Sequence, residues 1–276
     1  DITTELAAST ILQTMDSAVV VVDPAGVVRL SNAAARDILG LPESEVVDQS
    51  VSAVLPRIED AAPGRPVERE WISPDGMART VSIAVSPLRH SSGRLLGTIY
   101  VAHDISERKR VEEELQRLAL HDVLTGLPNR ALFFDRVSLL ISRAERLSQK
   151  VALLFVDLDG FKHINDTRGH EAGDAVLRTT ATRMLSAVRS SDTVARIGGD
   201  EFVIICPDVH DPGDTRGIIR KIHRALEAPI RINGDTVTVG ATVGVAHFPD
   251  DGGLPETLLS VADREMYAQK GKRAPR

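Results

Sequence analysis

Hydrophobic residues in the second half of the chain occur as short continuous runs that alternate with longer stretches of helical periodicity. The runs at residues 151–156 and 202–206 are rich in β-branched residues and predict strands, the first of them buried on both faces. Further strands are predicted at 193–197 and within 235–245, and amphipathic helices to about residue 148 and over 175–188, 218–226 and 255–270. The polar stretch at residues 163–174 precedes one of these helices. Strands that alternate with helices, with a hairpin in the sheet, favour an α/β or α+β sandwich.

The N-terminal part has a different pattern, in which short strands are separated by turn residues. Strands are predicted at 18–22, 27–30, 67–72, 78–85 and 95–102. Ser31-Asn32 is suited to cap a short helix through residue 39, which Gly40 ends, and residues 73–76 have the composition of a hairpin turn. This pattern predicts a small antiparallel sheet with its helices inserted after the first two strands.

Residues 107–122 are rich in charge and contain neither glycine nor proline, which predicts a continuous helix between the two halves. Asp104, Val111, Leu115 and Leu118 lie close to the three-four spacing of a coiled-coil seam. One interpretation is an exposed linker helix held by Glu/Arg pairs. We favour the other interpretation, a parallel two-stranded coil that joins the N-terminal domains of two protomers to whatever follows.

The composition narrows the class of protein. At 276 residues the chain is long enough for about two domains, and a net charge of −6 argues against a nucleic-acid-binding protein. The single cysteine, Cys206, excludes an internal disulfide and suits a reducing compartment, and its apolar neighbours predict that it is buried. No apolar run approaches the ~20 residues of a membrane helix. We therefore expect a cytoplasmic protein, or the cytoplasmic portion of a longer membrane protein.

The chemistry of the chain centres on a Gly-Gly pair between two apolar runs. Gly198 and Gly199 supply the positive φ angles of a tight hairpin turn and predict two antiparallel strands around it. Asp200 and Glu201 follow, placed just past the predicted turn. Two carboxylates beside backbone that carries no side chains indicate a place that holds a cation with a bulky group next to it.

A second acidic motif follows the buried strand at residues 151–156. Asp157 and Asp159 are two residues apart, so an extended chain directs them to one face. Gly160 and Lys162 come directly after them. Carboxylates that hold Mg²⁺, next to loop N–H groups and a lysine that hold phosphate oxygens, would form a metal-phosphate site.

The N-terminal half resembles a PAS sensor domain over residues 9–106. The resemblance rests on the strand pattern, on the helix that opens with Ser31-Asn32, on the turn at 73–76 and on the ending His103-Asp104-Ile105-Ser106. It implies binding of a small ligand or dimerisation, and the ligand itself is unknown. This half has no cysteine, which excludes a flavin that forms a cysteinyl adduct. His90 and His103 are conceivable haem ligands, although isolated histidines of this kind are more often surface residues.

The second half resembles the GGDEF family of diguanylate cyclases over residues 122–270. The motifs occur in the family's order: Asp122-Val-Leu-Thr-Gly-Leu-Pro-Asn-Arg130, Phe155-Val-Asp-Leu-Asp-Gly-Phe-Lys162, Asn165-Asp166, Gly169-His170, Gly173-Asp174, Arg196-Ile-Gly-Gly-Asp-Glu-Phe202 and Ala262-Asp263 with Met266-Tyr267. The resemblance implies a nucleotidyl-cyclase-like sheet with surrounding helices. It also implies conversion of two GTP into cyclic di-GMP and two pyrophosphates by a homodimer, because each subunit of such an enzyme holds one GTP.

The resemblance assigns roles to the acidic motifs. It implies that Asp157, the carbonyl of Leu158 and Asp200 hold Mg²⁺ or Mn²⁺, and that the triphosphate passes close to the bare backbone of Gly198-Gly199. Glu201 would assist metal binding or proton transfer, and the sequence does not separate these two roles.

The same resemblance places the substrate. Phe161 and Lys162 would offer donors to the β and γ phosphates, and Asn165 and Asp174 would recognise the guanine edge, since a carboxylate suits the paired N1–H and N2–H₂ donors of guanine. Lys270 is expected to bind phosphate. The family's usual ending after this lysine is shortened here and lacks its asparagine.

Arg189 and Asp192 match the family's product-inhibition site, which implies binding of cyclic di-GMP. The other interpretation is that Arg189 is an arginine at a helix terminus and Asp192 an aspartate in a turn. We favour the inhibitory site because of its spacing to Gly198.

We therefore expect a PAS domain at residues 1–106, a signalling helix at 107–121 and a GGDEF domain at 122–276. The leading hypothesis is a homodimeric diguanylate cyclase controlled by its PAS domain and its product. The alternative is a catalytically silent GGDEF module that binds GTP or cyclic di-GMP, and a third class is a PAS dimerisation adaptor.

Overall fold

The computed structural model describes residues 2–40, 43–55, 62–72, 76–209, 211–232 and 234–273. The chain forms two compact units, residues 1–114 and 115–276. Most of the turn expected at 73–76 lies outside the described residues, so that expectation stays a prediction. In the part of the chain that the structure describes, no helix is both long and apolar enough to cross a membrane.

The first unit is built on one antiparallel sheet. Its elements are α1 (Ile2–Thr14), β1 (Ala18–Val22), β2 (Val28–Ser31), α2 (Ala33–Leu39), α3 (Glu43–Val46), α4 (Val51–Val54), β3 (Val67–Ile72), β4 (Ala78–Arg89) and β5 (Leu95–Asp104). The five strands are ordered β2-β1-β5-β4-β3. Short helices follow the first two strands, as the sequence pattern predicts.

Asn32 shows why the chain turns into a helix at this point. Its side-chain oxygen accepts hydrogen bonds from the backbone N–H of Ala35 at 3.0 Å and of Val19 at 2.8 Å. Gly40 closes α2 in the left-handed conformation, with φ of 69°. The predicted helix and both of its ends are confirmed.

The second unit carries the larger core. Its elements are α5 (Ser106–Leu120, which begins in the first unit), α6 (Arg130–Leu147), β6 (Val151–Asp159), α7 (Phe161–Arg168), α8 (His170–Ala187), β7 (Thr193–Gly198), β8 (Glu201–Pro207), α9 (Pro212–Glu227), β9 (Ile230–Ile232), β10 (Asp235–Val237), β11 (Gly240–Phe248) and α10 (Pro255–Arg273). The main sheet is ordered β11-β6-β8-β7, and β9 pairs with β10.

Strand β6 lies inside the main sheet and is buried on both faces, as its apolar run predicts. Leu154 and Val156 belong to one apolar core together with residues of α8 and α9, whereas Leu153 and Phe155 belong to a second core with residues of α6 and α10. Every strand pair of this sheet is antiparallel, which selects α+β from the two expected fold classes.

One segment has a structure that the sequence pattern does not predict, and one expectation about local structure is wrong. The polar residues 163–174 are helical: they form most of α7 and the first turn of α8, joined by Gly169 with φ of 83°. Only Phe161 and Ile164 of α7 are buried, so a helix this short and polar has almost no hydrophobic period to detect. Asp104 ends β5 and accepts a hydrogen bond from Arg79 at 3.2 Å, so it is not part of a helical seam.

None of the residues of α5 is buried. Val111, Leu115 and Leu118 are all exposed, Leu115 by 61%. An apolar stripe of this kind on a charged helix is what a coiled-coil seam requires, and pairing with a second copy stays a prediction.

Gly244 lies where α10 packs against β11, and a Cβ atom on it would overlap the carbonyl oxygen of Ala262 and the backbone nitrogen of Met266. We expect Gly244→Ala to destabilise the second unit by about 1–3 kcal/mol or more, since backbone cannot yield as a side-chain tip can. Chemical denaturation followed by circular dichroism measures this change. Gly253→Ala is the control, because a Cβ there meets nothing within 4 Å, and equal stability of the two variants would contradict the prediction.

Candidate active site

Two acidic motifs that are far apart in the sequence meet at one edge of the main sheet. Asp157, near the end of β6, pairs in register with Glu201 at the start of β8. The backbone N–H of Leu158 donates to the carbonyl oxygen of Asp200 at 3.3 Å. The side chain of Leu158 is buried in the core, so only its backbone is available to the site.

The hairpin turn differs in detail from the expectation. Gly198 pairs with Glu201 within the strands, and the turn itself consists of Gly199 and Asp200. Gly199 has φ of 41°, whereas Gly198 is not among the residues with positive φ. Asp200 therefore lies in the turn and not past it. Gly199 is the glycine that the turn conformation requires.

Asp157 is the most buried carboxylate of the cluster, with 8% of its surface exposed. Its Oδ1 accepts a hydrogen bond from the ammonium group of Lys270 on α10, and the two form an ion pair. Burial raises the pKa of Asp157 above its usual range, and the nearby Asp200 and Asp159 act in the same direction against the opposing effect of Lys270. A further positive charge nearby would therefore stabilise the ionised form of Asp157.

Glu201 shares this electrostatic environment. Burial raises its pKa, and the charges of Asp157, Asp200 and Asp263 raise it further, while Lys270 lowers it. A cavity of about 310 Å³ borders Glu201 on the side of α6 and α10, with Arg130 among its lining residues. We call the carboxylates of Asp157, Asp200 and Glu201 the acidic edge. Glu201 borders the cavity from this edge.

Asp159 lies on the same strand as Asp157 but has another contact. Its Oδ1 accepts a hydrogen bond from the hydroxyl of Thr242 on β11 at 2.7 Å. A Cβ on Gly240 would come within 2.9 Å of its Oδ2. Asp159 is therefore held by β11, while its charge still acts on Asp157.

The start of α7 follows directly on this edge. Gly160 precedes the helix with φ of 75° and offers no capping side chain. Because the first N–H groups of a helix lack intrahelical partners, those of Phe161 and Lys162 are suited to an anion. The side chain of Phe161 is buried and that of Lys162 is exposed.

Asn165 on α7 packs against Gly173 on α8, the residue that precedes Asp174. A Cβ on Gly173 would overlap Oδ1 of Asn165 and lie 3.2 Å from the ring of Phe161, so the Asn165 amide packs directly on the glycine. Asp174 is half-exposed and lies 3.9 Å from Arg178. The Asn165 amide thus lies close to Phe161, the first residue of α7, and Asp174 follows one residue after this contact on α8.

Arg189 and Asp192 lie apart from these residues. They precede β7, whose first residue Thr193 pairs with Ile205 near the far end of β8, whereas Gly198 and Glu201 pair at the acidic end. Asp192 accepts the backbone N–H of Arg189 at 2.8 Å, as in the turn interpretation, and the Arg189 side chain is exposed. This pair is therefore not part of the acidic cluster.

Arg196 holds the hairpin in place, a role that sequence reasoning missed. Its guanidinium donates to the carbonyl oxygen of Gly199 at 2.6 and 2.9 Å and to both oxygens of Asp122 at 3.0 Å. Asp122 in turn accepts from the N–H and hydroxyl of Thr125. An arginine two residues before a glycine pair is a recognisable signal, but only the structure identifies its partners.

A carboxylate-rich sheet edge beside an uncapped helix start is suited to a metal ion together with a phosphorylated ligand, the class of a nucleotide-binding α+β domain. The chain belongs to the GGDEF family: the model of the diguanylate cyclase GGDEF domain matches residues 119–276. The PAS fold matches residues 8–105. The chain is thus a PAS domain followed by a GGDEF domain.

Individual proteins agree with this assignment. An uncharacterized signaling protein of Caulobacter vibrioides is 35% identical over 91% of this chain and 32% of its own length. Diguanylate cyclase TpbB of Pseudomonas aeruginosa is 41% identical over 60% of this chain and 39% of its own length. The crystal structure of the GGDEF domain of DgcB from Caulobacter crescentus in complex with c-di-GMP is 28% identical, with a TM-score of 0.52 over 56% of this chain and 92% of that one. The chain spans less than half of the length of these curated relatives.

Proposed function

We propose that the chain is an active diguanylate cyclase that condenses two GTP into cyclic di-GMP and two pyrophosphates. The observation that carries the proposal is the meeting of Asp157 with Asp200 and Glu201 at one sheet edge, next to Lys270 and the start of α7. The reaction joins the 3′-hydroxyl of one GTP to the α-phosphate of the other and releases pyrophosphate. Positioning and charge neutralisation are the work that such a step requires.

The residues present fit a divalent cation. Carboxylate and carbonyl oxygens are the ligands that Mg²⁺ and Mn²⁺ prefer, and Asp157, Asp200 and the Leu158 carbonyl would hold the ion. The ion pair between Lys270 and Asp157 supports this assignment, because the carboxylate already attracts a positive charge. When bound, the ion would neutralise phosphate charge and favour deprotonation of the attacking hydroxyl. Glu201 would assist metal binding or accept the proton.

The remaining residues would position GTP. The N–H groups of Phe161 and Lys162 would bind phosphate oxygens at the start of α7, and Lys270 would add a cation. Asn165 and Asp174 would hydrogen-bond the guanine edge. Gly198 and Gly199 leave the backbone of the hairpin open to the triphosphate.

Each such site holds half of the reactants, so the function requires two copies of the chain. The exposed apolar stripe of α5 supports a parallel coil between two protomers, with the PAS domains as a further contact. The PAS domain would control the approach of the two sites. The substrate GTP would place the reaction in the cytoplasm.

Incubation of the purified chain with GTP and Mg²⁺, followed by chromatography, tests the proposal directly. We expect cyclic di-GMP and twice as much pyrophosphate, with a rate per chain that rises with protein concentration if dimerisation limits the reaction. If no product forms at high protein concentration although GTP is bound, the proposed enzymatic activity is contradicted and a catalytically silent binding module is favoured.

Product inhibition is the second part of the proposal. Arg189 is suited to grip phosphate and guanine edges, and its distance from the acidic end of the hairpin separates inhibition from turnover. We expect Arg189→Ala to relieve inhibition by added cyclic di-GMP while its initial rate stays that of the wild type. Arg224→Ala, which removes an exposed arginine of α9, is the control. Equal inhibition of wild type and Arg189→Ala would refute the inhibitory site.

A further inference from the structure

Lys270 makes its contact with the residue that is proposed to bind the metal, and not with an open phosphate position. It comes from the last turns of α10, and its ammonium reaches Oδ1 of Asp157. The side chain of Lys270 is 36% exposed and that of Asp157 only 12%. The lysine therefore covers the carboxylate from the solvent side and has room to move away.

The acidic surroundings explain why this position attracts a cation. Asp159, Asp200 and Glu201 lie around Asp157, and their charges make an unpaired Asp157 carboxylate costly. Lys270 acts on both Asp157 and Glu201, since it lowers the pKa of each against the effect of burial. The ammonium of Lys270 thus supplies positive charge to this group of carboxylates.

A metal ion and the Lys270 ammonium compete for the same carboxylate. A metal ion bound to Asp157 would lie close to the ammonium and repel it, so metal binding favours departure of the lysine. Among the described residues, no group of three or more Asp, Glu, His or Cys side chains is arranged to hold a metal ion. Phosphate oxygens would both complete the ligand shell of the ion and offer Lys270 a new partner.

We propose that Lys270 is an exchangeable counter-ion, which pairs with Asp157 in the free chain and passes to the triphosphate when the metal ion arrives with GTP. This inference rests on the proposed function. Its consequence is an order of binding: the free chain binds the metal weakly, and the metal and the nucleotide bind together. The exchange prevents the acidic edge from being filled by divalent cations in the absence of substrate.

The test measures metal binding without nucleotide. Mn²⁺ is titrated into the full chain in slightly alkaline buffer, and free Mn²⁺ is followed by electron paramagnetic resonance. We expect Lys270→Met to bind Mn²⁺ about tenfold or more tightly than the wild type, because a neighbouring positive charge is removed at close range. Lys221→Met removes an exposed lysine of α9, outside the proposed site, and should change the affinity by less than about twofold. Adding Asp157→Asn to Lys270→Met should abolish the gain.

Two outcomes would overturn the inference: equal Mn²⁺ affinity of wild type and Lys270→Met, or a gain that persists in the double variant. If Lys270→Met does not fold, as judged by circular dichroism, Lys270→Gln carries the same test. The readout is independent of turnover. If the wild type makes no cyclic di-GMP but Lys270→Met binds Mn²⁺ more tightly, the proposed enzymatic activity is contradicted and the counter-ion role of Lys270 is supported. If the wild type is active but Lys270→Met shows no rise in Mn²⁺ affinity, only the counter-ion role is contradicted.

Discussion

Replacing Asp157 by asparagine is expected to abolish formation of cyclic di-GMP while leaving the fold intact. Asparagine keeps the shape of the side chain but removes the negative charge that would hold the metal ion. Charge stabilisation by a metal ion contributes several kcal/mol to such a step, and each ~1.4 kcal/mol is a factor of ten. The turnover number should therefore fall by about a thousandfold or more. Chromatographic measurement of cyclic di-GMP from GTP and Mg²⁺ gives this number.

The fold should tolerate the change for an electrostatic reason. Burial raises the pKa of Asp157 in the folded chain, so the folded state binds the proton more readily than the unfolded state does. The stability contributed by this group is present at low pH and is lost as the pH rises through the raised pKa. At neutral pH the charged side chain is a net cost, and the neutral asparagine removes it. Thermal unfolding of Asp157→Asn should accordingly occur at or above the wild-type temperature at neutral pH.

The matched control is Asp250→Asn. Asp250 is an exposed carboxylate whose partner is Lys150 at 2.7 Å, and Lys150 precedes the start of β6, at the end opposite to Asp157. This variant loses the same charge and should keep the wild-type rate. Appreciable turnover by Asp157→Asn would mean that the metal ligands are assigned wrongly. A comparable loss in Asp250→Asn would point to a general effect of charge.

The sequence predicts this site in part because strand ends and turns leave local signals. A buried apolar run followed by Asp157, and a glycine pair followed by Asp200, are visible in the sequence, and their meeting at one edge follows once both strands enter the same sheet. The sequence does not reveal that Asp200 lies within the turn, because this depends on the register that pairs Gly198 with Glu201. A one-residue difference in register is invisible in apolar runs as uniform as these.

Side-chain contacts between distant segments could not be predicted from the sequence. The resemblance to the GGDEF family marks Lys270 as a phosphate ligand, but its contact with Asp157 depends on how far α10 extends along the sheet. Arg196 likewise acts through Asp122, which lies well before it in the chain. The helix α7 was missed because its stability comes from two buried residues and from tertiary packing, and not from its own periodicity.

Gly173 is the position where a single methyl group is expected to damage substrate recognition. Glycine within a helix costs about 0.5–1 kcal/mol relative to alanine, so its presence in α8 calls for a packing reason. That reason is the Asn165 amide, which occupies the space that a Cβ would take, with the ring of Phe161 close behind. The glycine thus fixes one of the two groups that would recognise guanine.

Gly173→Ala should therefore raise the KM for GTP by about 10- to 100-fold, the equivalent of one lost hydrogen bond to a charged or buried group at ~1.5–3 kcal/mol. It should also reduce the preference for GTP over inosine triphosphate, which lacks the 2-amino group, because a displaced Asn165 disturbs the edge that it shares with Asp174. Steady-state kinetics with both nucleotides measure these changes. Gly217→Ala on α9, where a Cβ meets only the tip of Arg220 at 4.0 Å, should leave both values unchanged. An unaltered KM in Gly173→Ala would show that Asn165 does not bind the base.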